Sequence, residues 1–544
     1  RETQVIARTM MGDDLRISPD GTHLAFIEDQ NAHVMPLPAV GKALTVSPGF
    51  GALKVAQISS DEAYSLHFSS PDTLAWTLGP RLYTMRIDAA FEGDTAPGDG
   101  LDLGWSEPLA RPEGVAAIIG ATLVTMVGEE VIEDGVIVWA SDRIIAIGAR
   151  DTVTVPADAD VIDGTGLTVT PGLIDAHAHG PHASGGIVPQ QNWQALATLA
   201  FGVTTIHDPS NNTEAIFASS EMQKAGLIVT PRVFSTGTIL YGAKAPGIFA
   251  QVRSLDDALR HLRRRKAVGA ISVKSYNQPR RDQRQQVVEA SRQVGLNVVP
   301  EGGSTLMHNL TMVVDGHTGV EHALPVAKIY DDVIQLWSAT GVGYTPTLGV
   351  SYGGLMGENY WYAKTDVWAH PKLNAFVPRE ILDPASRRAT IVPDTEYNHI
   401  NAAAGAAALA EAGVGVQIGA HGQREGLASH WELWMLVQGG MTPHRALMSG
   451  TRDGARYLGL DNDLGTLEVG KLADLMVIRG DPLEDIRVSD QVAYTVLGGT
   501  VYDADQMNPI WPVASERPPL YFEATAYDTD GTPETGCSCG RGHP

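Results

Sequence analysis

The segment Pro171-Gly172-Leu173-Ile174-Asp175-Ala176-His177-Ala178-His179 pairs an apolar run with two histidines. Histidines at i and i+2 on an extended segment project to the same side. Both imidazoles then reach one ion, and imidazole is a common ligand of Zn²⁺ and similar metals. A strand that only packs has no use for such a pair at its end. Three further polar residues lie near the ends of strand candidates. Asp208 closes Val203-Thr204-Thr205-Ile206-His207-Asp208 and faces the mouth of a site, with a loop cap as the alternative. Tyr276 lies two residues after Lys274, points to the same side, and is placed to orient a substrate carbonyl. His317 precedes a strand candidate at 319–322 and is a further candidate for proton transfer. His430 opens a helix candidate and reads as a helix-end histidine.

These residues need a scaffold that gathers strand ends. From about residue 170 the pattern alternates strands and helices. Strands are expected at 168–175, 203–208, 232–236, 271–276, 297–301, 319–322, 343–347 and 414–419. Helices are expected at 256–266, 282–294 and 395–412. Eight strands with helical crossovers predict a (β/α)8 barrel over 170–460, with its chemistry at the C-terminal ends of the strands. A doubly wound open sheet is the alternative, but no Gly-rich phosphate loop follows any strand. Short strands and turns at 115–169, and again at 461–523, predict two parts of one flanking β-sandwich. A long insertion at 350–393 carries Tyr352, Tyr360, Trp361, Tyr362 and Trp368. Long loops at that end of a barrel are often functional. Its aromatics either wall an apolar pocket or pack on a neighbouring subunit or on the N-terminal region. The run Arg260, Arg263, Arg264, Arg265 and Lys266 reads as a solvated helix face.

Residues 1–108 read as all-β. Ser18-Pro19-Asp20-Gly21 feeds an alternating strand, and Ser59-Ser60-Asp61-Glu62 does so again ~40 residues later, as propeller blades do. The element resembles the blades of the Tol-system periplasmic propeller family, with an all-β cap of another type as the alternative. Two blades do not close a ring, so the missing ones are expected on an upstream segment or a second chain. By the same analogy an extracytoplasmic, periplasmic location is favoured. The tail, 524–544, is polar and holds both cysteines, Cys537 and Cys539, with His543; two cysteines there make no disulfide framework for the body. The 544 residues suffice for three or four domains at ~150 residues each. The net charge of −24 repels phosphate backbones and argues against nucleic acid as a partner. No apolar run reaches the ~18 residues of a membrane helix.

Over roughly residues 115–505 the sequence resembles the amidohydrolase superfamily, in its imidazolonepropionase-like and prolidase-like branch. The resemblance rests on the His-x-His segment, Gly202-Val203-Thr204-Thr205, Ile271-Ser272-Val273-Lys274, Val320-Glu321-His322 and Gly440-Met441-Thr442-Pro443. It extends to Gly465-Thr466-Leu467-Glu468-Val469-Gly470-Lys471-Leu472-Ala473-Asp474-Leu475, the family's return to the sandwich. It implies a metal-dependent hydrolase. In binuclear members the ligands are the two strand-1 histidines, a carboxylated lysine on strand 4, histidines on strands 5 and 6, and an aspartate on strand 8. His177, His179, Lys274 and His322 match. A lysine ammonium has no lone pair for a metal, so Lys274 must first become a carbamate; the alternative is an ordinary salt-bridge lysine. Two positions depart. Strand 5 offers Glu301 in place of histidine, and strand 8 offers His421 in place of aspartate. The exchange preserves ligand count and charge, and both types bind Zn²⁺.

The implied cofactors are two divalent ions, Zn²⁺ first, with Mn²⁺, Fe²⁺ or Co²⁺ as alternatives, together with carboxylated Lys274. The implied reaction is cleavage of a C–N bond in a small amide, dipeptide or cyclic amide by activated water, with His421 or Glu301 as general base. Lys274 favours the binuclear, prolidase-like dipeptidase type over the mononuclear type. Lactone or ester hydrolysis on the same site is one alternative. The other is a non-catalytic binding protein with a relict barrel. A homo-oligomer is compatible with either.

Overall fold

A computed structural model describes residues 4–93, 98–184, 186–245, 249–387 and 389–523. Cys537, Cys539 and His543 lie outside the described residues. The scaffold is a (β/α)8 barrel beside a β-sandwich, preceded by an N-terminal region of antiparallel sheets. Among the described residues no helix is long and apolar enough to cross a membrane.

The sandwich is assembled from both ends of the chain. Val115–Val124, Val131–Ala140 and Arg143–Ala149 form an antiparallel run. Leu167–Pro171 joins Val115–Val124 in parallel and pairs on its other side with Leu475–Arg479, which leads on to Val492–Leu497 and Thr500–Asp503. Register shifts around Gly120 let Val115–Val124 bend, pairing Asp160–Asp163 with one half and Leu167–Pro171 with the other. Trp139 closes the layers, its indole N–H donating to Gly499 O at 2.9 Å and its ring lying edge-on to Trp511.

The strand expected at 168–175 is two strands. Leu167–Pro171 belongs to the sandwich and Leu173–Asp175 to the barrel. They divide at Gly172, where a Cβ would lie 2.2 Å from Thr204 Oγ1. The next barrel strands are Val203–Asp208, Arg232–Ser235, Ser272–Ser275, Asn297–Pro300, Gly319–Glu321 and Gly343–Thr345. Val203–Asp208 is buried along its whole length, as a β-branched strand covered on both faces must be. The eighth position, 414–419, is extended but holds only a bridge between Tyr344 and Val416. It still closes the ring: Tyr344 N–H donates to Gly415 O, and Ala176 N–H donates to Ile418 O. Crossover helices obey end rules. Leu255–Ala267 is capped by Ser254, begins with Asp256 and Asp257, and ends with Arg264, Arg265 and Lys266, matching the helix dipole. The helix expected at 395–412 is the shorter His399–Glu411.

The N-terminal region holds two four-stranded sheets. Gly12–Ile17, His23–Glu28, Asn31–Pro36 and Ala56–Gln57 form one; Tyr64–Ser70, Thr73–Leu78, Arg81–Arg86 and Leu101–Asp102 form the other. Both are antiparallel meanders, and they share a core of Ala25, Val34, Ile58, Leu66, Leu74 and Trp76. The region is not purely β, since Ile87–Glu92 is helical. The arginine run is not a solvated face throughout. Arg265 is fully buried and pairs with Glu62 of the N-terminal region at 2.5 Å. In the 350–393 insertion, Trp361 is buried against Trp431 and Trp434 of Leu427–Gln438, so it serves the barrel's own core.

Candidate metal centre and active site

Strand order delivers the side chains to one end of the barrel. His177 and His179 follow the first strand, Lys274 lies on the fourth, Glu301 follows the fifth, His322 follows the sixth and His421 follows the eighth position. All six converge. The His177 ring centroid lies 5.0, 4.9 and 5.2 Å from those of His179, His322 and His421. Nitrogens of His177, His322 and His421 lie within 4.8 Å of one another. Glu301 joins Lys274 to this cluster, with Oε2 2.6 Å from Lys274 Nζ and Oε1 2.9 Å from His322 Nε2.

Close backbone approach makes this possible. At Gly419 a Cβ would lie 2.7 Å from His177 Cβ. His421 N–H donates to His177 O at 2.7 Å, fastening the eighth segment to the first. His322, Thr347 and His421 have φ of 73°, 42° and 60°, left-handed values that cost non-glycine residues strain. Three such residues around one cluster are the pattern expected of a functional site.

Three of the four imidazoles are oriented from behind. His177 Nδ1–H donates to Glu321 Oε2 at 2.5 Å, which leaves Nε2 with its lone pair toward the cluster. Glu321 Oε1 also accepts from Tyr457 and Thr345. His179 Nδ1 lies 3.2 Å from Asp208 Oδ1, and His322 Nδ1 lies 2.7 Å from Thr347 Oγ1. Asp175 accepts from the N–H of His177 and of Ala420 and from the Ser429 hydroxyl. Glu321 and Asp175 escaped the sequence reading as site residues. The one signal for each was its place beside a histidine motif.

Burial governs the charge states. It lowers His421 to about 3 and His177 well below its usual range, so both are neutral at pH 7. It raises Glu321 to about 7. Burial also pushes Glu301 upward, but the Lys274 ammonium and His322 more than offset it and hold the carboxyl well below the usual range. His177 Nε2 and His421 Nδ1 are buried without a hydrogen-bond partner. An unpaired buried nitrogen is costly, and a cation is the partner that suits neutral imidazoles facing one carboxylate. The donor set therefore fits a divalent metal.

The remaining sequence candidates divide. Tyr276 stands beside the centre, where burial raises its phenol and the Glu301 carboxylate adds to the rise. Asp208 is fully buried and acts on His179 from behind. His317 is not brought to the site. It precedes Gly319–Glu321 at the far end of that strand, is buried, and its Nδ1 lies 3.1 Å from Met312 O. His430 is buried, bonding Phe201 O and Ser489.

A barrel with four imidazoles, a carboxylate and a lysine at its strand ends is the scaffold of a metal-dependent hydrolase class. The chain belongs to the Amidohydrolase family, which it matches over residues 168–502. It is 27% identical over 176 residues to a dihydroorotase of Geotalea daltonii, spanning 31% of this chain and 39% of that protein. It is 23% identical over 420 residues to an imidazolonepropionase of Symbiobacterium thermophilum, spanning 68% of this chain and 91% of that one. Among solved structures, a Xaa-Pro dipeptidase with methionine in its active site matches with a TM-score of 0.56 and 22% identity, covering 72% of this chain and all of the dipeptidase.

Proposed function

We propose that this protein hydrolyses a C–N bond in a small amide or dipeptide, using two divalent ions held by His177, His179, Lys274, Glu301, His322 and His421. The observation that carries the reading is the convergence of these six side chains with two buried imidazole nitrogens left unpartnered. The dipeptidase and imidazolonepropionase relatives support the bond type. Bound divalent ions supply Lewis acidity that lowers the pKa of water and polarises a carbonyl. Zn²⁺ suits the nitrogen-rich set best, and Mn²⁺, Fe²⁺ or Co²⁺ also suit it.

The chain's own groups do the rest. Glu301, partly accessible on its outer side, takes a proton from the attacking water and passes it to the leaving nitrogen. His421 stays neutral and keeps a lone pair for binding. The Tyr276 phenol donates to the substrate carbonyl. The Lys274 ammonium first gives up one proton; the free amine then adds to CO₂ and gives up a second, and the resulting carbamate is a second anion beside Glu301. Two adjacent anions require cations between them, so carbamate formation and metal uptake are coupled. The two four-stranded antiparallel sheets of the N-terminal region support its reading as propeller blades.

Elemental analysis of protein purified without chelator tests this reading. Two equivalents of metal per chain, with cleavage within a panel of dipeptides and amides, is the expected result. No metal after soaking in Zn²⁺, Mn²⁺ or Co²⁺ would overturn it and favour a binding protein with a relict barrel.

A further inference from the structure

Between the third and fourth barrel strands the chain makes an excursion of two short strands, Ile239–Tyr241 and Phe249–Gln251. They extend the sheet outward from Ser272–Ser275, with Phe249–Gln251 at its edge. The excursion brings Tyr241 and Phe249 to Tyr276. Ring centroids lie 5.6 Å apart for Tyr241–Tyr276 and 5.4 Å for Phe249–Tyr276, both edge-to-face. Tyr241 and Phe249 also touch, at 5.7 Å. All three rings are only partly buried. Tyr276 shares its side of the strand with Lys274, so this aromatic surface adjoins the reacting centre. Tyr352 stands nearby, its ring 6.0 Å from His322. Half-open aromatic surface beside a polar centre is what a specificity pocket presents.

The excursion is held from outside the barrel. His23–Glu28 and Asn31–Pro36 are joined by a two-residue turn, Asp29-Gln30. Both residues have positive φ, 54° and 62°. Such turns favour Asn and Gly, so this pair is kept against local preference. Both side chains reach the excursion and its continuation. Gln30 Nε2–H donates to Phe249 O at 2.9 Å, and Asp29 Oδ2 accepts from Arg253 Nη2 at 2.9 Å. The strained tip therefore grips the outer edge of the aromatic wall.

We infer that Tyr241, Phe249 and Tyr276 form a subsite for an aromatic side chain of the substrate, and that the N-terminal region sets its shape through the Asp29-Gln30 turn. The inference rests on the hydrolase reading for the site's location, but its test does not require turnover. Titration calorimetry compares 3-phenylpropanoate with butanoate on the full chain, metal-free and Zn²⁺-loaded. The wild type is expected to bind 3-phenylpropanoate at least ten-fold more tightly. Phe249→Ala is expected to cut that preference at least five-fold, with Phe249→Leu retaining part of it, and Tyr241→Leu reports the same subsite from its other wall. Gln30→Ala is expected to lower the preference without changing metal content. Equal binding of the two probes by wild type, or an unchanged preference in both Phe249→Ala and Tyr241→Leu, would overturn the subsite. A wild-type preference in Gln30→Ala would overturn the part assigned to the N-terminal region. Selective probe binding by protein that cleaves no amide would leave the subsite standing and remove the hydrolase reading.

Discussion

Glu321 has no route to solvent and three donors pointed at it, from His177, Tyr457 and Thr345. It fixes the His177 tautomer, so its effect on the centre exceeds that of an ordinary buried carboxylate. Glu321→Gln keeps the shape but adds an N–H where acceptors are needed. Metal affinity, measured by competition with a chromophoric chelator, is expected to fall about 10–100-fold while the circular dichroism spectrum is retained. Lys274 gives a second prediction. Loading with Zn²⁺ in CO₂-depleted buffer is expected to give close to one ion per chain, rising toward two on adding bicarbonate; equal loading in both would leave Lys274 an ordinary lysine. Of the six ligand candidates, His177 and His179 stood out by their own spacing, whereas Lys274, Glu301, His322 and His421 were expected only from the family resemblance, which assigns a ligand to each of those strand ends. Glu321 and Asp175 were not legible, because a residue acting from behind a ligand carries no spacing of its own. His317 misled because its sequence distance from the strand does not reveal which end it occupies.

Helix Leu427–Gln438 supports the turn after the seventh barrel strand, Leu348–Val350, through one carboxyl. Glu432 is fully buried and accepts from Gly349 N–H at 2.7 Å. Burial raises it from 4.5 to about 8, so it is largely protonated at neutral pH. A carboxyl whose folded value is raised contributes stability that is full below about pH 4.5 and lost as pH rises through about 8. The denaturant midpoint of wild type is therefore expected to fall between pH 6 and pH 9, and that of Glu432→Gln to fall less. Parallel falls would remove Glu432 as the cause. At this scale alternation located the barrel's strands, and helix periodicity located three of its helices, near Leu255–Ala267, Arg281–Val294 and His399–Glu411. The break at Gly172 was signalled by Pro171-Gly172, a pair that disfavours a strand interior, but the apolar residues on both sides read as one run; the close approach of Thr204 leaves no room for a Cβ there. The weak pairing at 414–419 was hidden: three of those six residues are apolar, but neighbouring strands decide the ladder.

The whole molecule is joined across chemically unlike surfaces. Glu62 and Arg265 are buried where the N-terminal region meets helix Leu255–Ala267. Removing one partner strands the other's charge. Glu62→Ala is expected to destabilise the protein by about 3–5 kcal/mol, seen as a lower thermal midpoint, with much of the loss recovered in Glu62→Leu/Arg265→Met. A double variant as unstable as the single one would count against this account. Metal adds to stability by mass action, so chelation is expected to lower the midpoint and Zn²⁺ to restore it. The division into sheets, sandwich and barrel was readable from changes in periodicity. The contact of the N-terminal region with the barrel was not, because Arg265 sits among four other basic residues and only its position on the helix singles it out.

The segment from Leu101 to Ala110 is exposed at every residue, including Leu103 and Trp105, while the regions it joins share a buried ion pair and the grip of Gln30 on Phe249. The covalent link is thus separable from the contacts that hold the two sides together. A single cut after Glu107 should yield a non-covalent heterodimer whose two fragments co-elute on size exclusion, and separately produced fragments should complement one another on mixing. Glu62→Ala should let the fragments drift apart, turning an interior ion pair into the latch of a two-chain protein.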